Sequence, residues 1–332
     1  MAEMRPLVLI TRRIPEPGMK LLRGKCRLRL WNRDEPMPEK ILRKKIRGVD
    51  GVLCLLTDKL TREMMQAAGP RLKVISTMAV GFDNIDVKEA TRRGIFVGNT
   101  PGVLTEATAD LTWALMLALA RKIPQGDRIM RQGKFTGWSP TLLLGADFFG
   151  RTLGIVGMGR IGRAVARRAQ GFGMRIIYHD SRRLAASEER VVGARYVSLQ
   201  ELIRRSDFIT LHCPLTRETW HLIGGKELAM MKPGAYLLNV SRGPVVDEKA
   251  LVRALQRKQI AGAGLDVYEH EPRLAPGLAK LDNVLLAPHL GSASFETRNK
   301  MAVMAAQNLL CGLAGKIPPW AVNPEAKKHR GS

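Results

Sequence analysis

Short runs of aliphatic and β-branched residues recur along the chain, each followed by a longer stretch in which apolar positions return every three or four residues among charges. Runs of four or five such residues suit strands buried on both faces, and the stretches between them have helical periodicity. In the first third the runs fall at 7–11, 51–55, 73–77 and 95–98, with helical segments at 38–46 and 61–66. Thr61, just before Arg62-Glu63-Met64, has the form of a helix cap. A long helix is expected at 105–121, after Pro101-Gly102, and its apolar positions cover enough of its circumference to bury it between domains or subunits. Pro124, Gly126, Gly133, Gly137 and Pro140 then mark an irregular arm, about 124–150, that carries Trp138. A second series of strands follows at 153–156, 175–178, 208–211, 236–239, 262–266 and 284–287, a last long helix at 292–313, and what reads as a mobile tail at 316–332. Strands alternating with helices in this way specify an α/β protein with parallel sheets.

Size and composition narrow the reading. A chain of 332 residues exceeds one ordinary domain, and 45% hydrophobic residues can fill two cores. The longest apolar stretch, 111–120, lies between Asp110 and Arg121, well short of the roughly 18 residues a membrane span needs. Residues 1–6 lack the pattern of a signal peptide, so a cytoplasmic protein without membrane association is expected. Cys26, Cys54, Cys213 and Cys311 have neither pairing nor metal-ligand spacing, and read as small core residues with no metal site. The net charge of +24 is spread along the chain, and the 5% of aromatic residues do not interleave with the basic ones. That favours a solvated basic surface, attractive to small anions, over a nucleic-acid site.

The most specific local signal is Leu153-Gly154-Ile155-Val156 running into Gly157-Met158-Gly159-Arg160-Ile161-Gly162 and then a helical segment. In this strand–turn–helix setting the three glycines are a dinucleotide fingerprint. Gly157 permits the tight turn, Gly159 lets a pyrophosphate approach the backbone, and Gly162 lets helix and strand pack closely. The residues from Arg160 would open the helix whose N-terminus receives the phosphates. Asp180, eighteen residues beyond Gly162 at a strand end, suits the ribose hydroxyls and favours NAD. Ser181-Arg182-Arg183 directly after it would suit a 2′-phosphate, so NADP or dual use stays open.

Three further segments end strands: Asn239-Val240-Ser241-Arg242-Gly243, Asp266-Val267-Tyr268-Glu269-His270-Glu271-Pro272, and Ala287-Pro288-His289-Leu290-Gly291. Ligands of open α/β sheets bind at the carboxyl ends of strands. An arginine, a carboxylate and a histidine are therefore expected together beside a nicotinamide. Reducing a 2-keto acid needs a proton donor at the carbonyl oxygen, which His289 can be. A carboxylate, Glu271 or its competitor Glu269, would hold that ring, and the planar fork of Arg242 would anchor the substrate carboxylate.

Together these segments resemble the D-isomer-specific 2-hydroxyacid dehydrogenase family, over nearly the whole chain. The family's glutamate directly precedes proline, which selects Glu271-Pro272. The resemblance implies two Rossmann/flavodoxin-like doubly wound parallel-sheet domains with a cleft between them. A discontinuous substrate domain would comprise 1–100 and 291–332, and an NAD(P)-binding domain 101–290. It implies that Ala79, Val80 and Gly81, with Leu55, face the substrate, and that Thr108, Pro214, Thr219, Val240, Ser241, Asp266 and Gly291 lie along the cofactor. It further implies a homodimer in which Trp138 reaches the partner's active site or packs the arm, and D-stereochemistry. Cys54 to Asp58, Ser76 to Gly81 and Trp138-Ser139-Pro140 look most like the family's glyoxylate/hydroxypyruvate reductases. A dehydrogenase for another 2-hydroxy acid, or an NAD-sensing corepressor on the same fold, is the rival reading.

Overall fold

The computed structural model describes residues 5–329. They form two compact units: the chain up to Leu104 together with that from Ala293 onward, and Thr105–Ser292.

The first unit is built on five parallel strands, β1 (Leu7–Ile10), β2 (Arg27–Leu30), β3 (Gly51–Cys54), β4 (Val74–Thr77) and β5 (Phe96–Gly98), in the order β2-β1-β3-β4-β5. Side chains alternate across a strand, and both faces are covered. Leu9, Val52, Cys54, Ile75 and Val97 pack with Leu42, Met64 and Met65 of the helices Glu39–Lys45 and Arg62–Ala68. Val8, Ile10, Leu53, Val74 and Phe96 meet Ala302, Ala305, Ala306 and Leu309 of the helix Phe295–Leu313. Thr61 caps Arg62–Ala68 by accepting the Met64 N–H at 3.5 Å.

The second unit has seven parallel strands, β6 (Thr152–Val156), β7 (Arg175–His179), β8 (Ala194–Tyr196), β9 (Phe208–Leu211), β10 (Tyr236–Asn239), β11 (Gly262–Leu265) and β12 (Val284–Leu286). Their order is β12-β11-β10-β9-β6-β7-β8. Strand β6 is hydrogen-bonded to β7 on one side and β9 on the other, so the winding reverses there and a crevice opens at the carboxyl ends. Helices Thr105–Ala120 and Arg160–Gly171 cover one face through Ala109, Trp113, Met116, Ala164 and Val165. Leu202, Leu228, Leu251 and Ala254, from three other helices, cover the opposite face.

Three features depart from the sequence reading. Strands β2 and β8 carry too few apolar residues to register as buried strands, because both are edges whose side chains partly face solvent. The arm begins with a regular helix, Ile123–Arg131, in which Pro124 sits in the first turn where its missing N–H is harmless. The expected tail is docked as far as His329: Val322 N–H donates to the Val97 carbonyl at 2.7 Å, and the buried Asn323 Oδ1 accepts the Val97 N–H at 2.7 Å. Residues 330–332 lie outside the described residues. No helix among the described residues is long and apolar enough to cross a membrane.

Candidate active site

The end of β6 runs into Gly157, whose φ of +93° is left-handed, and a Cβ there would lie 2.6 Å from the Cys213 nitrogen. A Cβ on Gly162 would lie 2.1 Å from the Gly157 carbonyl oxygen. At Gly159 the situation is opposite: a Cβ would meet no atom within 4 Å. Gly159 begins the helix Arg160–Gly171 with no side-chain cap, so the first N–H groups, around Arg160, Ile161 and Gly162, form an open positive end. Two glycines are thus demanded by the protein, and the third faces open space where an anion can approach.

Asp180, just beyond β7, accepts the Met158 N–H at 2.6 Å through Oδ2. Its Oδ1 accepts the Ser181 hydroxyl and the Arg182 N–H, each at 3.2 Å. Arg183 is committed to Glu189, at 2.9 and 3.1 Å, whereas the Arg182 side chain is exposed. After β9, Thr219 Oγ1 donates to the Pro214 carbonyl at 2.6 Å and closes a small turn. His212, just past the end of β9, lies 2.9 Å from Thr210 Oγ1 through Nε2, and its buried Nδ1 has no hydrogen-bond partner among the described residues. Desolvation pushes its pKa down to about 3, so this ring is neutral. The uncapped helix start, the open side of Gly159 and the nearby carboxylate fit a dinucleotide.

The ends of β10, β11 and β12 converge. Asn239 Oδ1 accepts the Ser241 N–H at 3.1 Å and its hydroxyl at 2.8 Å, while Nδ2 donates to the Arg242 carbonyl at 2.9 Å. That winds Val240, Ser241 and Arg242 into a tight turn, and Arg242 Nη1 donates back to the Ser241 carbonyl at 2.9 Å. A Cβ on Gly243 would lie 1.9 Å from both C and O of Tyr268, so this turn touches the backbone after β11 directly. Buried Asp266 accepts the Leu290 N–H at 2.6 Å and the Gly291 N–H at 2.8 Å. Burial pushes its carboxyl up, against the pull of the Leu290 N–H and the nearby His289. Thr108 Oγ1 donates to the Gly291 carbonyl at 3.0 Å, which joins Thr108, Asp266 and Gly291 in one cluster.

Glu271 Oε2 lies 3.1 Å from His289 Nδ1, and Oε1 accepts the Tyr268 N–H at 3.1 Å. Burial raises the Glu271 pKa, but His289, the Tyr268 N–H and the charge of Arg242 outweigh it and hold the carboxyl below its usual range. His289 sits at φ +57°, a left-handed setting that costs an ordinary residue about 1–2 kcal/mol. It is held there by its N–H, which donates to the Asp266 carbonyl at 3.0 Å. Glu269 faces elsewhere: its Oε1 lies 3.0 Å from His221 Nε2. With His289 Nδ1 engaged, Nε2 is the ring atom able to hand over a proton.

In the first unit, Leu55 donates its N–H to buried Asp58 at 2.7 Å and accepts from Asn84 Nδ2 at 3.1 Å. After β4, the Ala79 carbonyl accepts the Thr100 N–H at 2.8 Å, and Asn99 Nδ2 donates to the Val80 carbonyl at 2.7 Å. With the carbonyls so held, the N–H groups of Ala79, Val80 and Gly81 have no acceptor among the described residues. Trp138 is 84% exposed and joins none of these clusters by a hydrogen bond among the described residues. Sequence reasoning passed over Asn239, Asp58, Asn84, Asn99 and Tyr268. Each acts on backbone groups; for Asn239 and Asn99 the signal was a polar residue at or just past the end of a buried strand, and the others carried none.

A dinucleotide cradle and a carboxylate-paired histidine on one sheet edge are the parts of a nicotinamide-dependent oxidoreductase. Residues 113–291 match the family model "D-isomer specific 2-hydroxyacid dehydrogenase, NAD binding domain", and the chain belongs to that family. It is 52% identical over 326 residues to glyoxylate reductase of Thermococcus litoralis, covering 97% of this chain and 98% of the relative. It is also 52% identical over 330 residues to glyoxylate reductase of Korarchaeum cryptofilum, covering 98% of each. Among solved structures, the NADPH-dependent glyoxylate/hydroxypyruvate reductase of Sinorhizobium meliloti, in complex with NADP and malonate, superposes with a TM-score of 0.86. That protein is 35% identical, and the match covers 97% of this chain and 98% of the other.

Proposed function

We propose that the protein reduces small 2-keto acids, glyoxylate to glycolate and hydroxypyruvate to its D-2-hydroxy acid, with NADH preferred. The observation that carries this reading is the 3.1 Å pairing of His289 with Glu271 at the carboxyl edge of the sheet whose β6 opens the dinucleotide cradle. The nicotinamide, when bound, supplies the hydride to C2 of the keto acid. His289 Nε2 donates the proton to the carbonyl oxygen, and ionised Glu271 orients the imidazole. Arg242 polarises the carbonyl and anchors the carboxylate, with the N–H groups of Ala79, Val80 and Gly81 as further donors and Leu55 as a wall. Thr108, Asp266 and Gly291 serve the nicotinamide end. Val240, Ser241, Pro214 and Thr219 line the cofactor, and Asp180 holds the adenosine ribose while Arg182 leaves NADPH a weaker partner. In this reading the first unit is the substrate domain.

A homodimer fits the arm: Ile123, Met130, Trp138, Leu144 and Phe149 are all more than half exposed within one 27-residue stretch, 123–149. The deciding experiment follows absorbance at 340 nm with NADH or NADPH and a panel of glyoxylate, hydroxypyruvate, pyruvate and phenylpyruvate. Fast oxidation with the two small polar keto acids is expected. Cofactor binding with no turnover of any of them would overturn the reading in favour of an NAD-binding regulator or another substrate.

A further inference from the structure

The loop that carries Glu271 has an unusual anchor. Glu248 opens the helix Glu248–Gln256, where a glutamate ordinarily points to solvent, yet it is only 3% exposed. Its Oε1 accepts the Glu269 N–H at 2.7 Å and its Oε2 the Ala275 N–H at 3.1 Å. Those two N–H groups bracket Glu271 along the chain. Glu269 returns the contact, accepting the Glu248 N–H at 3.4 Å, and its other oxygen meets His221. A buried carboxylate is a costly way to fill space unless both oxygens are satisfied, and here both are spent on one loop.

Resting on the function proposed above, we propose that Glu248 is a positioning residue for the acid–base pair, fixing the loop so that the Glu271 carboxylate meets His289. The charged and titratable groups around the arrangement are Glu269 and His270 beside Glu248, and Asp266, Tyr268 and Arg242 beside Glu271 and His289. Burial raises the Glu248 carboxyl, which the two N–H groups oppose. Glutamine at this position keeps the size but can accept only one of the two bonds, because its amide would face the second N–H as a donor. Aspartate keeps the charge but shortens the reach.

The test is the titration of His289, read from its ring Cε1–H signal by NMR and assigned with His289→Ala, in the wild type, Glu248→Gln and Glu248→Asp. Glu271→Gln sets the full scale of the change that losing this carboxylate makes in the titration, and a loosened Glu271 should give about half of it. The high-pH limb of kcat for reduction should move down equally, with kcat lowered about tenfold and KM changed less than about twofold. A shift in both Glu248 variants supports positioning. A shift in the glutamine variant alone is a field effect, and no shift in either leaves Glu248 with a packing role; both results overturn the proposal. If one variant fails to fold, the other, compared with Glu271→Gln through the kcat–KM split, still decides. If the wild type turns over no keto acid, the proposed function falls, while the His289 titration still reports whether Glu248 sets the pair.

Discussion

The contact between Gly243 and the Tyr268–Glu269 peptide sets up a sharp test. An alanine Cβ at 243 would lie 1.9 Å from the Tyr268 carbonyl carbon and oxygen. An ordinary contact is about 3.5 Å, so in Gly243→Ala the two segments must part by about 1.5 Å. The neighbours of that contact are Arg242 on one side and the loop bearing Glu271 on the other. A displacement of about 1 Å in a reacting constellation costs on the order of 100-fold in rate, or about 2.7 kcal/mol of barrier. Overpacking adds about 1–3 kcal/mol of destabilisation, which for a domain of this size is a Tm lower by about 2–4 °C per kcal/mol. The assay is glyoxylate reduction at 340 nm beside differential scanning calorimetry and NADH fluorescence titration. The pyrophosphate cradle is built on β6 and β7, so NADH affinity, touched by this contact through the Val240–Ser241 turn alone, should fall by less than about tenfold while kcat/KM falls about 100-fold. An alanine variant with kcat/KM within about threefold of wild type and an unchanged Tm would refute the argument that this contact aligns the site.

His289→Ala should lower kcat by about 10²–10⁴ with NADH affinity kept, measured by steady-state kinetics and fluorescence titration; near-full activity would remove it as proton donor. Asp180→Ala should raise the NADPH-to-NADH ratio of kcat/KM by about tenfold or more, and should also weaken NADH binding because the Met158 N–H loses its acceptor. The Glu271 carboxyl is depressed in the folded protein, so its contribution to stability is present above the unfolded value of about 4.3 and is lost as pH falls through the folded value. Calorimetry from pH 3 to 7 should therefore show a flatter fall in Tm at the acid end for Glu271→Gln; an identical slope would deny the pairing. If the proposed dimer forms through the arm, Trp138→Asp with Leu144→Asp should give a monomer in light scattering where the wild type gives a dimer, with its fold unchanged by circular dichroism; a monomeric wild type would refute the dimer.

Much of the fold was legible because its inner strands are buried on both faces, which prints an uninterrupted aliphatic run such as Leu153-Gly154-Ile155-Val156. Edge strand β2, Arg27-Leu28-Arg29-Leu30, alternates charge with leucine and reads like an exposed segment. Pro124 and Gly126 concealed a helix because they are breakers anywhere but near its start. The last residues looked free because Asn308 and Asn323 anchor them through backbone groups, and such bonds leave no periodicity. In the site, the glycine spacing and the polar residues at strand ends could be read directly. The choice between Glu269 and Glu271 rested on the resemblance, through the proline after Glu271, and not on spacing: both lie on one loop, two residues apart, and the turn of that loop sends one to His221 and the other to His289.

The hydrogen bond from Thr108 to Gly291 places the entry and exit of the second unit side by side, so that unit is an insertion whose ends nearly meet. This bears on how the molecule is made. Strands β1 to β5 emerge early, but the alanines of Phe295–Leu313 that cover Val8, Leu53 and Phe96 follow only after the whole second unit. At about 5–20 residues per second, the ribosome takes roughly 10–40 s to synthesise that unit. Throughout that interval this face of the first sheet has only Ile14, Met19 and Leu22, around the helix Glu16–Leu22, to lie against. The nascent protein must therefore hold a partly uncovered aliphatic surface while its larger unit folds, and cotranslational chaperones should be recruited to that surface.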